Sequence, residues 1–229
     1  MESLFMQCKY TLYLRFLNYL QMCFNGKFFF TFILSLILHH NVIAQHADID
    51  LLRKINLQRN TQLDGSMKLI SNTEAYVGIG LPVAIVVAAY IKKDKVLFQK
   101  GFNMSLALMA SSASTFILKR IVNRPRPAYT YPDIQSFEKQ KYNSFPSGHT
   151  SNAFSTATSL SLNFRKWYYI VPSFAWAGAV GYSRMHLGVH YPSDVLAGAL
   201  LGAGSAYATF KVNKMLKKYF EKKYFKSED

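Results

Sequence analysis

Residues 181–194 read GYSRMHLGVHYPSD. They join two apolar runs, WYYIVPSFAWAGAV (167–180) and VLAGALLGAGSAYA (195–208). An arginine, two histidines and an aspartate thus sit between segments suited to lipid. Ionisable groups at membrane depth are costly, so such a cluster points first to a functional site. Neither apolar run alternates as a strand would, which predicts an all-α, membrane-embedded bundle.

Composition agrees with that reading. Half of the 229 residues are hydrophobic and only 17% are charged, with 15 Tyr and 18 Phe. Soluble domains carry roughly 25% charged residues. The net charge of +15 suits an anionic membrane surface or an anionic substrate. It does not suit nucleic acid, because the basic residues cluster at the ends of apolar segments rather than along one polar face. Both cysteines, Cys8 and Cys23, precede the first strong apolar run. The main body therefore has neither a disulfide staple nor a cysteine-based metal site.

Five apolar segments are expected to form the core spans, at 70–91, 101–118, 147–163, 167–183 and 193–210. The third, SGHTSNAFSTATSLSL, is too rich in Ser and Thr to face lipid all round. It belongs inside the bundle, with Ser151, Ser155 and Thr158 turned inward. Gly198 and Gly202, four apart on the last segment, permit close helix contact. Ahead of these lies KFFFTFILSLILHHNVIAQ (27–45), with the layout of a signal peptide cut near Ala44 or of an uncleaved anchor. Translation from Met22 would leave that signal an ordinary short basic start. Residues 47–60, ADIDLLRKINLQRN, form an amphipathic helix capped by Asp48, lying on the surface or packed on the bundle. The expected division is 1–45 for the leader, 46–210 for the helical domain and 211–229 for a basic tail.

Charge between segments sets an orientation. Four Lys in 92–100, then Arg165 and Lys166, then seven Lys after Phe210 all fall on one side of five alternating spans. That side is cytoplasmic by the positive-inside rule. The opposite side nonetheless holds Lys119, Arg120, Arg124, Arg126 and Arg184, cations that call for an anion to bind.

Three stretches meet on that outer side: KRIVNRPRP (119–127), FPSGHT (145–150) and SRMHLGVHYPSD (183–194). In the first, Lys119 and Arg126 are groups that grip phosphate oxygens, although basic residues beside a span also serve as headgroup contacts. In the second, Ser147, Gly148 and His149 open a helix, whose free N–H groups make an anion seat; a routine capped start with a core histidine reads equally well. In the third, Asp194 stands one turn after His190. It can bond one ring nitrogen and leave the other free as a nucleophile. Two His and an Asp also suggest metal ligation, but several cations on the same face would repel a divalent ion. His186 has the wrong offset from Asp194 and reads as structural or as part of the rim.

Together the three stretches resemble the motifs of the type 2 phosphatidic acid phosphatase superfamily. Lys119, six residues and Arg126-Pro127 match the first motif, and Pro146-Ser147-Gly148-His149 the second. Ser183-Arg184, five residues, His190, three residues and Asp194 match the third. The resemblance spans about 48–210 and has no departure in spacing or order. It implies a helical core in which His190 attacks phosphorus, Asp194 orients His190, and His149 protonates the leaving group and then activates water. Lys119, Arg126, Arg184, Ser147 and the Gly148 amide would hold the phosphate oxygens, with no metal or other cofactor. The implied protein is a phosphoric ester hydrolase acting on a lipid phosphate or pyrophosphate, in a bacterial inner membrane with its site facing the periplasm. Undecaprenyl pyrophosphate, phosphatidylglycerol phosphate, phosphatidate and lipid A are the candidate substrates. Tyr129, Tyr131 and KQKY (139–142) would border the entrance. Vanadium-dependent haloperoxidases and soluble periplasmic acid phosphatases share the pocket, but the apolar spans argue against both. A catalytically idle lipid-binding member is disfavoured because every catalytic position is filled.

Overall fold

The computed structural model describes residues 46–138 and 143–224, with side chains as far as residue 217. The expected signal segment, both cysteines and KQKY 139–142 lie outside the described residues. Contacts divide the chain into Met1–Ala47 and Asp48–Asp229, and the second unit carries the bundle.

Helix α1 covers 46–57. A one-turn 3₁₀ segment, Thr61–Leu63, leads into α2 (Asp64–Lys92) and α3 (Lys95–Val122). The single turn α4 (Pro127–Thr130) precedes α5 (Gly148–Phe164), α6 (Trp167–His186) and α7 (Pro192–Tyr224). No strand occurs among the described residues. Helices α2, α3, α6 and α7 outrun the apolar segments that announced them, while α5 matches its segment within one residue at each end. Hydropathy marks the lipid-facing stretch, whereas caps mark the helix ends. Lys93 takes a left-handed conformation to end α2, and Asp94 at once caps α3 by accepting from the Val96 and Leu97 amides at 2.9 Å.

Helix α5 is central, touching α2, α3, α6 and α7. Its small side chains make this possible: Ser151, Ala153, Ser155, Thr156, Ala157 and Ser159 are all buried. Ser151, Ser155 and Ser159 make the fully buried stripe, and Thr158, half-buried as a residue, keeps its hydroxyl out of solvent beside them. Against this stripe α7 presents Gly198 and Gly202. A Cβ on Gly202 would overlap the Ser151 carbonyl, and one on Gly198 would lie 2.6 Å from Ser147 O. The α5–α7 contact is therefore backbone against backbone.

Helices α2, α3 and α7 are each long and apolar enough to cross a membrane. Their outer faces carry Ile79, Val83, Val87, Ile117, Leu196 and Leu200, each more than half exposed, as a lipid solvent requires. Helices α5 and α6 run beside them, with α5 holding its polar stripe inward. The chain is an integral membrane protein.

Asp48 does not cap its own helix, because α1 is already running at residue 46. Its carboxylate instead accepts from the Ser193 amide at 2.8 Å, at the start of α7. Helix α1 is fixed onto the loops. Ile49 and Leu52 are buried against Ile134 and Tyr191, each burial contributing about 1.5–3 kcal/mol. Asn56 donates to Gln135 O and His186 O and accepts from the Gln135 amide. Gly188, at φ +68°, lies so close to Gln135 O and Asn56 that a Cβ would reach within 2.8 Å of both.

Candidate active site

Four helix ends meet at one end of the unit: the C-termini of α3 and α6 and the N-termini of α5 and α7. The lysine-rich turns at 92–100 and 165–166 lie at the other end, as antiparallel neighbours dictate. Between the four ends is a cavity of about 810 Å³. Six of the eight expected residues line it: Lys119, Arg126, Gly148, His149, Arg184 and His190.

His190 is 2% exposed and its two nitrogens have different neighbours. Nδ1 lies 3.4 Å from Asp194 Oδ2, and Nε2 lies 3.3 Å from Arg126 Nη1. A guanidinium can only donate, so Nε2 must accept and the ring proton sits on Nδ1, toward the carboxylate. Nε2 therefore keeps its lone pair on the cavity side. Burial, then the charges of Arg126, Arg184, Lys119 and His149, hold the imidazole well below its ordinary pKa. The ring is neutral at neutral pH.

Arg184 is 1% exposed and lines the cavity. Nη1 donates to Ser71 Oγ at 2.5 Å, while Nε and Nη2 make no hydrogen bond among the described residues. These two are the lateral fork of the guanidinium, the pair that grips two oxygens of one anion. Buried donors left unpaired cost about 1–3 kcal/mol each. Lys119 Nζ is anchored by Asn143 O at 2.6 Å, and Arg126 Nη1 by Val189 O at 2.7 Å. Below the cavity, the buried Glu74 of α2 accepts a hydrogen bond from Asn152 and faces the charge of Arg184.

The remaining two expected residues stand behind the cavity wall. Asp194 is fully buried behind His190. Ser147 caps α5, with its Oγ 2.9 Å from Thr150 Oγ1 and 3.5 Å from the Thr150 amide. Its own amide donates to Asp194 O at 3.0 Å, tying the starts of α5 and α7 together. His186 lies apart from the cavity, buried, with Nε2 2.8 Å from Asp64 Oδ1; Arg59 holds the same carboxylate at 2.9 Å.

Sequence reasoning passed over Asn152, which lines the cavity one turn beyond His149; the i, i+3 spacing on α5 was the available signal. It also passed over Asn143, Thr115 and Phe116, and left Arg120 without a role. Among the described residues, no three His, Cys, Asp or Glu side chains group closely enough to hold a metal ion. Gly148 leaves room, since a Cβ there would meet only Thr115 Cγ2, at 3.6 Å.

Comparison with known proteins bears on this arrangement. The family model described as PAP2 superfamily matches residues 100–218. An undecaprenyl-diphosphatase of Sulfolobus acidocaldarius is 28% identical over 167 residues, 72% of this chain and 78% of its own. A lipid A 4'-phosphatase of Porphyromonas gingivalis is 28% identical over 166 residues, 69% of each chain. Among solved structures, Aquifex aeolicus LpxE is similar with a TM-score of 0.64 and 31% identity, covering 72% of this chain and 95% of that one. A transmembrane PAP2-type phosphatidylglycerolphosphate phosphatase from Bacillus subtilis gives 0.66 and 26%, covering 82% and 94%.

Proposed function

The chain belongs to the PAP2 superfamily, and from that membership we propose that it removes a phosphoryl group from a lipid phosphate or diphosphate through a phosphohistidine on His190. The observation that carries this reading is the unpaired fork of Arg184, buried in a cavity it shares with Lys119, Arg126, His149 and His190. A tetrahedral, multiply charged oxyanion is the ligand such a set of donors fits.

The phosphate oxygens take the Arg184 fork, Arg126, Lys119 and the N-terminus of α5. When Arg126 engages the phosphate, it releases the Nε2 lone pair that it holds at 3.3 Å. Nε2 then attacks phosphorus as the bond from phosphorus to the lipid oxygen breaks, and His149, which takes up a proton once the bound phosphate offsets the cations around it, gives that proton to the lipid oxygen. Asp194, bonded to Nδ1–H, stabilises the cationic phosphohistidine. His149, now a base, takes a proton from water, whose oxygen attacks phosphorus and releases His190. Positioning and charge neutralisation carry most of the rate, and the step needs no metal.

The lysine-rich end opposite the cavity supports an outward-facing site, the periplasmic side in a bacterial inner membrane. Acyl or prenyl chains would stay in the bilayer while the head group enters the cavity. Relatives named for undecaprenyl diphosphate, lipid A and phosphatidylglycerophosphate define the panel to test. Phosphate release from such a panel in EDTA is the experiment. Turnover of at least one lipid phosphate is expected, and its absence across the panel, or its loss on chelation, would contradict the reading.

A further inference from the structure

Arg124 stands between two carboxylates and outside the phosphate cavity. Nη1 donates to Asp194 Oδ1 at 2.8 Å, and Nη2 to Asp48 Oδ2 at 2.7 Å. Nη1 also reaches Ser193 Oγ at 2.7 Å, and the guanidinium carbon lies 3.7 Å from the centre of the Tyr191 ring. Asp48 completes the frame, accepting from both the amide and the hydroxyl of Ser193. Helix α1, the loop after α3 and the first turn of α7 thus converge on the back of Asp194.

This matters because Asp194 orients His190 by a long contact. Oδ2 is 3.4 Å from Nδ1 and is shared with the Tyr191 amide at 3.0 Å, whereas a strong charge-assisted bond is about 2.7–2.9 Å. At that separation the plane of the carboxylate decides whether Oδ2 faces the ring. The Ser144 hydroxyl and the Tyr191 amide also bond this carboxylate, and Arg124 is the charged group among its donors, held on Oδ1. Asp48 has a second effect. A guanidinium paired with Asp194 alone would draw its charge away from the imidazole. Shared with Asp48, Arg124 holds Asp194 without neutralising it, and the carboxylate keeps its charge for the cation that forms on His190.

We propose that Arg124 and Asp48 are positioning residues, a buttress from α1 that fixes Asp194 and through it the hydrogen bond that orients the His190 ring. The proposal rests on the phosphohistidine reading above. Its test combines kinetics with a measurement that needs no turnover, on the full chain in detergent micelles. Arg124→Gln should lower kcat about 10- to 100-fold, the usual loss when a group that orients a catalytic side chain is released. KM should stay within about threefold, because Arg124 does not line the cavity. Asp48→Asn should act in the same direction, about 3- to 10-fold, and carries the test if the Arg124 variant does not fold. In ¹⁵N-histidine spectra, the Nδ1–H proton of His190 should exchange faster with water in both variants, because the carboxylate it bonds is no longer held in place. Wild-type kcat in either folded variant would overturn the proposal. So would a lowered kcat with an unchanged His190 signature, which marks a merely structural effect. Absence of phosphate release from the wild type would instead fault the functional reading, and the spectra would still report on the buttress.

Discussion

His190 carries the residue-scale claim, because its two nitrogens are assigned by their neighbours rather than by motif. Burial and the surrounding cations lower its pKa, so between that depressed value and the ordinary imidazole pKa of about 6.5 an unfolded chain takes up a proton that the native ring refuses. Acidification through this window therefore removes stability, and stability rises again with pH. Ring ¹⁵N shifts of His190 should still read as the neutral Nδ1–H form at pH 5.5, and a half-protonated ring near 6.5 would contradict the assignment. Gly148 makes a second test. A Cβ fits there without overlap, so Gly148→Ala should leave thermal unfolding in detergent unchanged while raising KM about tenfold by crowding a phosphate oxygen (about 1.4 kcal/mol). Wild-type KM would remove the close approach to Gly148. At this scale the cage was legible, since Lys119, Arg126, His149, Arg184, His190 and Asp194 fall in fixed spacings next to span ends. The buttress behind Asp194 was not legible. Arg124 and Asp48 lie 70 and 146 positions from it in sequence, and nothing local in ADIDLL or NRPRP points across that distance. Ser147 shows the converse, a motif serine whose hydroxyl turns to cap α5.

At the scale of elements, the contact between α5 and α7 sets the site, because His149 and Asp194 each sit in the first turn of these two helices. Gly202 allows the backbones to touch, and the sequence announced this through its spacing from Gly198. Gly202→Val should force the helices apart at a cost of about 2 kcal/mol or more. It should lower the thermal midpoint of detergent-solubilised protein and depress activity, although residue 202 is two turns along α7 from Asp194. An unchanged midpoint would mean that α5 and α7 do not pack as described. Helix α1 was only half legible. Ile49, Leu52 and Ile55 marked one apolar face, but composition has no way to distinguish a helix resting on lipid from one clamped to loops. Asp48, read as a local cap, works instead at the start of another helix. Hydropathy likewise found where the spans are and not where the helices end, because Asp94 and the left-handed Lys93, Asn123 and Arg165 make those ends in polar sequence.

On the scale of the whole molecule, the cavity and the lysine-rich turns occupy opposite ends of the bundle, so the charge pattern and the proposed site imply one orientation. With Cys8 and Cys23 replaced, a cysteine at Tyr129, 72% exposed, should react with an impermeant maleimide added outside intact cells. One at Lys93, in the exposed α2–α3 turn, should react only after permeabilisation. The reverse pattern would put the site on the cytoplasmic face. The proposed function comes down to a single event, the transfer of a lipid's phosphoryl group to Nε2 of His190. The most direct measurement is to mix the protein with a ³²P-labelled lipid phosphate, quench in alkali, where phosphohistidine survives, and map the labelled peptide. Label is predicted on the peptide containing His190, and none in His190→Asn, which should also release no phosphate. Label on another residue, or phosphate release by His190→Asn near the wild-type rate, would contradict the account.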